Sequence, residues 1–234
     1  CITLLMPVDV TSEALGALAE GLWLASYRFR MPPTAQRPAD GDDEADGPAE
    51  VGLVVADPQQ HEAALERARI TAETTRLARD LTNMPSSVKC PQWFVERIRP
   101  EAERAGLTVT VREPGQLAAE GFGGILAVGG GSARGPRLLE LSWAPENATT
   151  HVVLVGKGIT FDTGGISIKP REAMVLMRKD MAGAAAVVAA TLGAAAMKLP
   201  VRITTLAPLA ENMVSGTAFR PGDVVRHYGG ITSE

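Results

Sequence analysis

A chain of 234 residues with 45% hydrophobic and 21% charged side chains is long enough to bury a sizeable core and to build one large or two modest domains. Its formal net charge of −4 offers no basic footprint for a phosphate backbone, so nucleic acid is not expected as the main partner and a small or peptide substrate fits better. Its two cysteines, Cys1 and Cys90, are too few for a disulfide framework and suit a reducing compartment.

The first ten residues are apolar but lack a basic leader and a small-residue cleavage pattern, so they do not read as a signal peptide. Thr11 to Arg30 place Leu15, Leu18, Leu22 and Leu24 on an amphipathic pattern opened by Thr11 and Ser12, which predicts an N-capped helix stopped by Met31-Pro32-Pro33. From Thr34 to Glu50 the composition turns to Pro, Gly, Asp and Glu. This acidic stretch reads as a solvated loop, because nothing in it fixes a metal-binding geometry. Val51 to Val55 is an apolar strand that closes a first unit, expected over residues 1–58 as part of a smaller α/β domain. Gln59 to Thr82 predicts a long helix whose polarity suits a link between domains, over 59–82, and leaves 83–234 as the larger domain.

Within that domain Trp93 to Ala105 predicts a helix, Leu107 to Val111 a strand, Pro114 to Glu120 a short helix and Gly124 to Val128 a further strand. Gly129-Gly130-Gly131-Ser132-Ala133-Arg134-Gly135 follows and suggests a dinucleotide loop, but Arg134 stands where the third glycine is needed, so a tight turn is expected. Arg137 to Trp143, His151 to Ile159 and Val201 to Leu206 read as strands. The uncharged run Met181 to Met197 is too short and too alanine-rich to span a bilayer and predicts a buried helix. Apolar strands alternating with helices predict an α/β fold with a mostly parallel sheet flanked by helices.

The chemistry concentrates between Val152 and Met181. Lys157 stands between two glycines at the end of an apolar strand, where open α/β sheets place their sites. Gly156-Lys157 is not a phosphate loop, since residue 151 is His and residue 158 is Gly, and no Gly-x-Ser-x-Gly elbow offers a serine nucleophile. Asp162 precedes Thr163-Gly164-Gly165, whose glycines let backbone approach whatever the carboxylate holds. Asp180 stands before a run of small residues and could serve as a plain helix N-cap. Lys157 and Lys169 could likewise be surface lysines. Taken together, between flanks that look buried, the four charges need partners or a cation. A divalent ion on Asp162 and Asp180 could also take neutral Lys157 as a nitrogen ligand, leaving Lys169 cationic and facing a reacting group.

Val155 to Gly165, Lys169-Pro170, Met177 to Met181, Glu211-Asn212-Met213 and Arg220 to Val224 resemble, in order, the motifs of the leucyl aminopeptidase family of two-metal cytosolic exopeptidases. A weaker resemblance runs back through Arg79 to Pro85 and Gly123 to Gly129. It implies that 83–234 is a metallopeptidase catalytic domain and that Lys157, Asp162 and Asp180 hold one metal, with Asp162 bridging to a second. It also implies that Lys169 stabilises the oxyanion and that Met177 walls the pocket for the first side chain. Two divalent ions, Zn or Mn with Mg or Co as alternatives, a peptide substrate, a cytoplasmic location and a homo-hexamer without membrane attachment come with the same resemblance.

In the family an Asn-Thr-Asp-Ala-Glu-Gly-Arg motif supplies the remaining carboxylates and an arginine that holds a bicarbonate. It is absent up to Glu234, and with Cys1 as first residue both ends are expected to be cut. Glu211, expected in a loop after the strand, and Asp223, expected in a turn, are assigned structural hydrogen bonds instead. The rival reading is a non-catalytic binding or structural protein on the same scaffold.

Overall fold

The computed structural model describes residues 2–31 and 50–234, and the chain divides into two units between Arg76 and Leu77. Most of the acidic stretch read as a loop, and Cys1, lie outside the described residues.

The first unit contains β1 (Ile2–Leu5), α1 (Ser12–Ala25) and β2 (Val51–Val54), then the start of α2 (Glu62–Asn83), inside which the division falls. β1 and β2 pair in parallel with Ile2 opposite Val51. The expected N-cap is present: Thr11 is extended and its hydroxyl accepts from the Ala14 N–H at 3.2 Å. The helix ends at Ala25, before the expected Arg30. Gly16 lets α1 lie close to Ala64, since a Cβ there would meet the Ala64 carbonyl at 3.3 Å.

The second unit holds α3 (Pro91–Arg104), β3 (Thr108–Arg112), α4 (Pro114–Ala119), α5 (Gly123–Gly129), β4 (Arg137–Trp143), β5 (His151–Val155) and β6 (Gly158–Asp162). α6 (Arg171–Met174), α7 (Ala182–Ala196), β7 (Arg202–Asn212) and the hairpin β8 (Val225–Arg226) with β9 (Thr232–Ser233) complete it. The sheet runs β3-β4-β7-β5, with β6 also on β7. β5 and β6 are parallel to β7, while β4 is antiparallel to both β7 and β3, so β4 alone runs against the other four. The sheet is therefore mostly parallel, as expected.

β7 is longer than the strand expected from sequence, and it contains Pro208. The ladder from β5 ends at Leu206 and that from β6 begins at Leu209, so the proline falls opposite Gly156-Lys157, where no ladder N–H is required. Alternate residues of β7, Thr205, Ala207 and Leu209, are fully buried on one side, where α7 lays Ala184, Ala185 and Val188 and α3 contributes Phe94 and Ile98. Small side chains on α7 let helix and sheet approach closely enough for Thr191 and Thr205 hydroxyls to bond at 2.5 Å.

Two expectations are corrected. Gly124 to Val128 is helical, not a strand: a short apolar run does not distinguish the two by periodicity, and here it forms a separate helix after α4 has closed at Gly121, φ +83°. Its glycines serve close approach, since a Cβ on Gly124 would lie 2.7 Å from the His227 ring. Glu211 lies inside β7, fully buried, rather than in a loop. Arg134 and Ser132, from the Gly129–Gly135 segment, both bond its carboxylate. Because a helix rather than a strand leads into that segment, and Ser132 N–H closes on the Gly129 carbonyl at 3.2 Å, it is a turn that staples β7. Asp223 accepts from the Arg220 N–H at 2.8 Å within its own turn.

Candidate metal centre

The site begins where the strand shared by β5 and β6 is interrupted. At Gly156-Lys157 the backbone leaves the ladder and the Lys157 carbonyl accepts from the Ala184 N–H at 2.8 Å, satisfying one of the free donors of the first turn of α7. This joint needs two glycines. A Cβ on Gly156 would meet the Gly183 carbonyl oxygen at 2.4 Å, and one on Gly183 would meet the Lys157 nitrogen at 3.0 Å.

A second irregularity follows. Ile159 pairs with Ala210 but Phe161 with Glu211, so Thr160 is an extra, bulged residue. One extra residue changes the side of the ladder on which Asp162 falls relative to the residues before the bulge. Beyond Asp162 the chain turns through Gly164 and Gly165 at φ of +87° and +63°, which glycine adopts without strain. The turn returns the Lys169 N–H to the Thr163 carbonyl at 2.8 Å.

The four charged residues form two pairs. Lys157 Nζ lies 3.0 Å from Asp180 Oδ2, and Lys169 Nζ lies 3.2 Å from Asp162 Oδ2. Asp162 is the more enclosed carboxylate. Burial would raise its pKa, but the Gly164 N–H, the Lys169 ammonium and the Asn212 amide outweigh it and hold the carboxyl below its ordinary range. Gly164 at 2.9 Å and Asn212 at 2.8 Å both donate to Oδ1, leaving Oδ2 for Lys169.

Asp180 is not the N-cap of α7. It closes a 3₁₀ turn, Val175–Lys179, donating its N–H to the Met177 carbonyl at 3.1 Å, while Met181 occupies the cap position. Its Oδ2 is withdrawn from solvent, and the approach of Lys157 lacks hydrogen-bond geometry, so this oxygen has no donor. Met177 is half-buried in the same turn. The expectation of buried flanks is corrected in part: α7 is largely buried, but β5 lies at the edge with Val153 and Val155 54% and 66% exposed, and the Lys157 side chain is 61% exposed.

Among the described residues no group of three or more His, Cys, Asp and Glu side chains converges on a point. The charged side chains form two Lys–Asp pairs, two carboxylates and two amines in all. Asp180 Oδ2 and Asp162 Oδ2 each have a lysine ammonium as their nearest cation, a place that a metal ion could take instead. Lys157, Asp162 and Asp180 carry nitrogen and oxygen donors of the kinds that a divalent ion takes. Sequence reasoning gave no role to Asn212 or Gly183, whose parts depend on strand register and helix packing.

The model of the cytosol aminopeptidase family catalytic domain matches residues 76–234. The chain belongs to the cytosol aminopeptidase family. It is 49% identical over 224 residues to a probable cytosol aminopeptidase of Corynebacterium efficiens, covering 94% of this chain and 43% of that one. With the probable cytosol aminopeptidase of Leifsonia xyli subsp. xyli it is 46% identical over 233 residues, covering 100% of this chain and 46% of that relative. The chain thus spans a little under half the length of these curated relatives. Among solved structures it is similar to the bottromycin maturation enzyme BotP in complex with Mn, with TM-score 0.81 and 40% identity over 98% of this chain and 48% of that one. It is also similar to the cytosol aminopeptidase of Coxiella burnetii, with TM-score 0.82 and 31% identity over 99% and 47% of the two chains. No described helix is long and apolar enough to cross a membrane.

Proposed function

We propose that the intact protein is a two-metal aminopeptidase that removes the first residue, leucine among those accepted, from peptides with a free amino terminus. The observation behind this reading is the buried, donorless Asp180 Oδ2 beside Lys157, inside the stretch matched by the family's catalytic domain. Lys157, Asp162 and Asp180 would hold one ion and Asp162 would share in a second. Zn or Mn suits these donors, with Mg or Co as alternatives, and the similarity to BotP, solved with Mn, supports a divalent metal. Such ions, when bound, polarise a carbonyl and lower the pKa of bound water. Lys169, freed from Asp162, would donate its ammonium N–H to the developing oxyanion. Met177 would line the pocket for the departing residue. A cytoplasmic homo-hexamer and a bicarbonate belong to the same reading.

The test is hydrolysis of leucine anilide by the intact protein. Chelation is expected to remove activity, added Mn or Zn to restore it, and N-acetylation of the substrate to block it. Hydrolysis indifferent to chelator, or none with any of these metals, sinks the reading.

A neighbour of the site can be tested separately. Asn212→Leu removes one of two donors to Asp162 Oδ1 and is expected to weaken Mn affinity about 10- to 100-fold. Calorimetric titration of the metal-free protein measures this; wild-type affinity would show that the Gly164 N–H suffices to aim the carboxylate.

A further inference from the structure

Lys89 has no part in the mechanism above, yet its side chain is fully buried. Its ammonium donates to three backbone carbonyls, Leu81 at 3.1 Å, Thr82 at 3.0 Å and Arg178 at 2.7 Å. No carboxylate pairs with it among the described residues. Burial, and secondarily the Arg178 charge, pull its pKa down to about 8, so the buried ammonium is costly and its position calls for a reason.

Half the reason lies in α2. Leu81 and Thr82 are in its last turn, where carbonyls lack intrahelical partners and a cation is favoured. Capping that helix end takes two donors. The third, and the shortest bond, goes to a carbonyl remote in sequence, that of Arg178 in the 3₁₀ turn 175–179. The same turn contains Met177 and is closed by the N–H of Asp180, and its first two side chains, Val175 and Leu176, are 67% and 54% exposed. A three-donor cation at this point ties the turn to the end of a long helix.

We propose that Lys89 is a positioning residue that fixes the 175–179 turn and so sets the place of Asp180. The part concerning Asp180 as a ligand rests on the proposed function; the clamp on the turn does not. Lys89→Met keeps the length of the stem and removes all three donors, as well as the buried charge.

In the intact variant, amide exchange is compared between residues 177–181 and the core of α7. The expected result is about tenfold or faster exchange in the turn, from loss of a charge-assisted hydrogen bond, with α7 unchanged. Mn affinity is expected to fall about 10- to 100-fold. Unaltered exchange in the turn, or equal acceleration in turn and α7, overturns the proposal, the latter because it marks a general loss of stability. Faster turn exchange with unchanged Mn affinity overturns the link to Asp180. Faster turn exchange in a protein whose wild type binds no metal leaves the clamp standing and removes the aminopeptidase reading instead. If Lys89→Met does not fold, Lys89→Gln, which retains two donors, takes its place with an intermediate effect expected. Failure of both to fold would make Lys89 a core staple and overturn its positioning role.

Discussion

Asp180→Ala in the intact protein is expected to lower kcat/KM for a leucine anilide by about three orders of magnitude or more, while the melting temperature of the metal-free protein stays level or rises. The activity loss follows from removing a ligand of an ion that contributes several kcal/mol to the transition state, each ~1.4 kcal/mol being tenfold in rate. The stability expectation follows from the local geometry. Alanine removes a buried oxygen without a hydrogen-bond donor together with its ion pair to Lys157, which is worth little because the lysine is 61% exposed, and the turn is closed by the Asp180 backbone N–H, which alanine keeps. Steady-state kinetics with Mn and a thermal scan after chelation measure the two. Retained activity would sink the ligand assignment, and a large drop in melting temperature would mean that Asp180 is a structural residue.

Gly156→Val is expected to destabilise the second unit by about 3 kcal/mol or more, at the upper end of overpacking costs. The added atoms have no flexible neighbour to displace: they meet the Gly183 carbonyl oxygen at 2.4 Å and carbon at 2.7 Å, both backbone, and Val187 Cγ2 at 2.6 Å. Relief requires moving the start of α7 away from β5, which breaks the bond from Ala184 to Lys157 and separates Lys157 from Asp180. Urea denaturation should show a lower midpoint at constant slope. Gly115→Ala, in α4 where a Cβ would meet nothing within 4 Å, is the control and should keep the midpoint or raise it slightly. A Gly156→Val midpoint equal to that of the control would show that the joint is looser than its distances imply.

The strands and helices that sequence reasoning placed best are those whose pattern is local. β4 spans Arg137 to Trp143 as expected, and α7 differs from the expected Met181 to Met197 by one residue at each end. The errors share a cause, which is that remote partners decide them. Pro208 and Glu211 look like breaks in β7 until the gap opposite the proline and the Arg134 and Ser132 bonds to the glutamate are seen. Of the candidate site, Lys157, Asp162, Lys169, Met177 and Asp180 are legible because they lie in one stretch of chain. That they form two Lys–Asp pairs, that Thr160 is bulged out of the ladder, and that Asn212 and Lys89 support the site from afar depend on register and packing that no spacing encodes.

The place of β7 in the sheet bears on how the chain is made. It is the last of the five sheet strands to leave the ribosome, and β4, β5 and β6 all await it as a partner. Until residues 202–212 emerge, β4 and β5 present open edges of valine and leucine to any passing chain. Such late, non-local pairing slows folding and lengthens exposure to misassembly. A pause in translation that holds residues 202–212 inside the ribosome should therefore lower the soluble yield more than one placed after they have emerged.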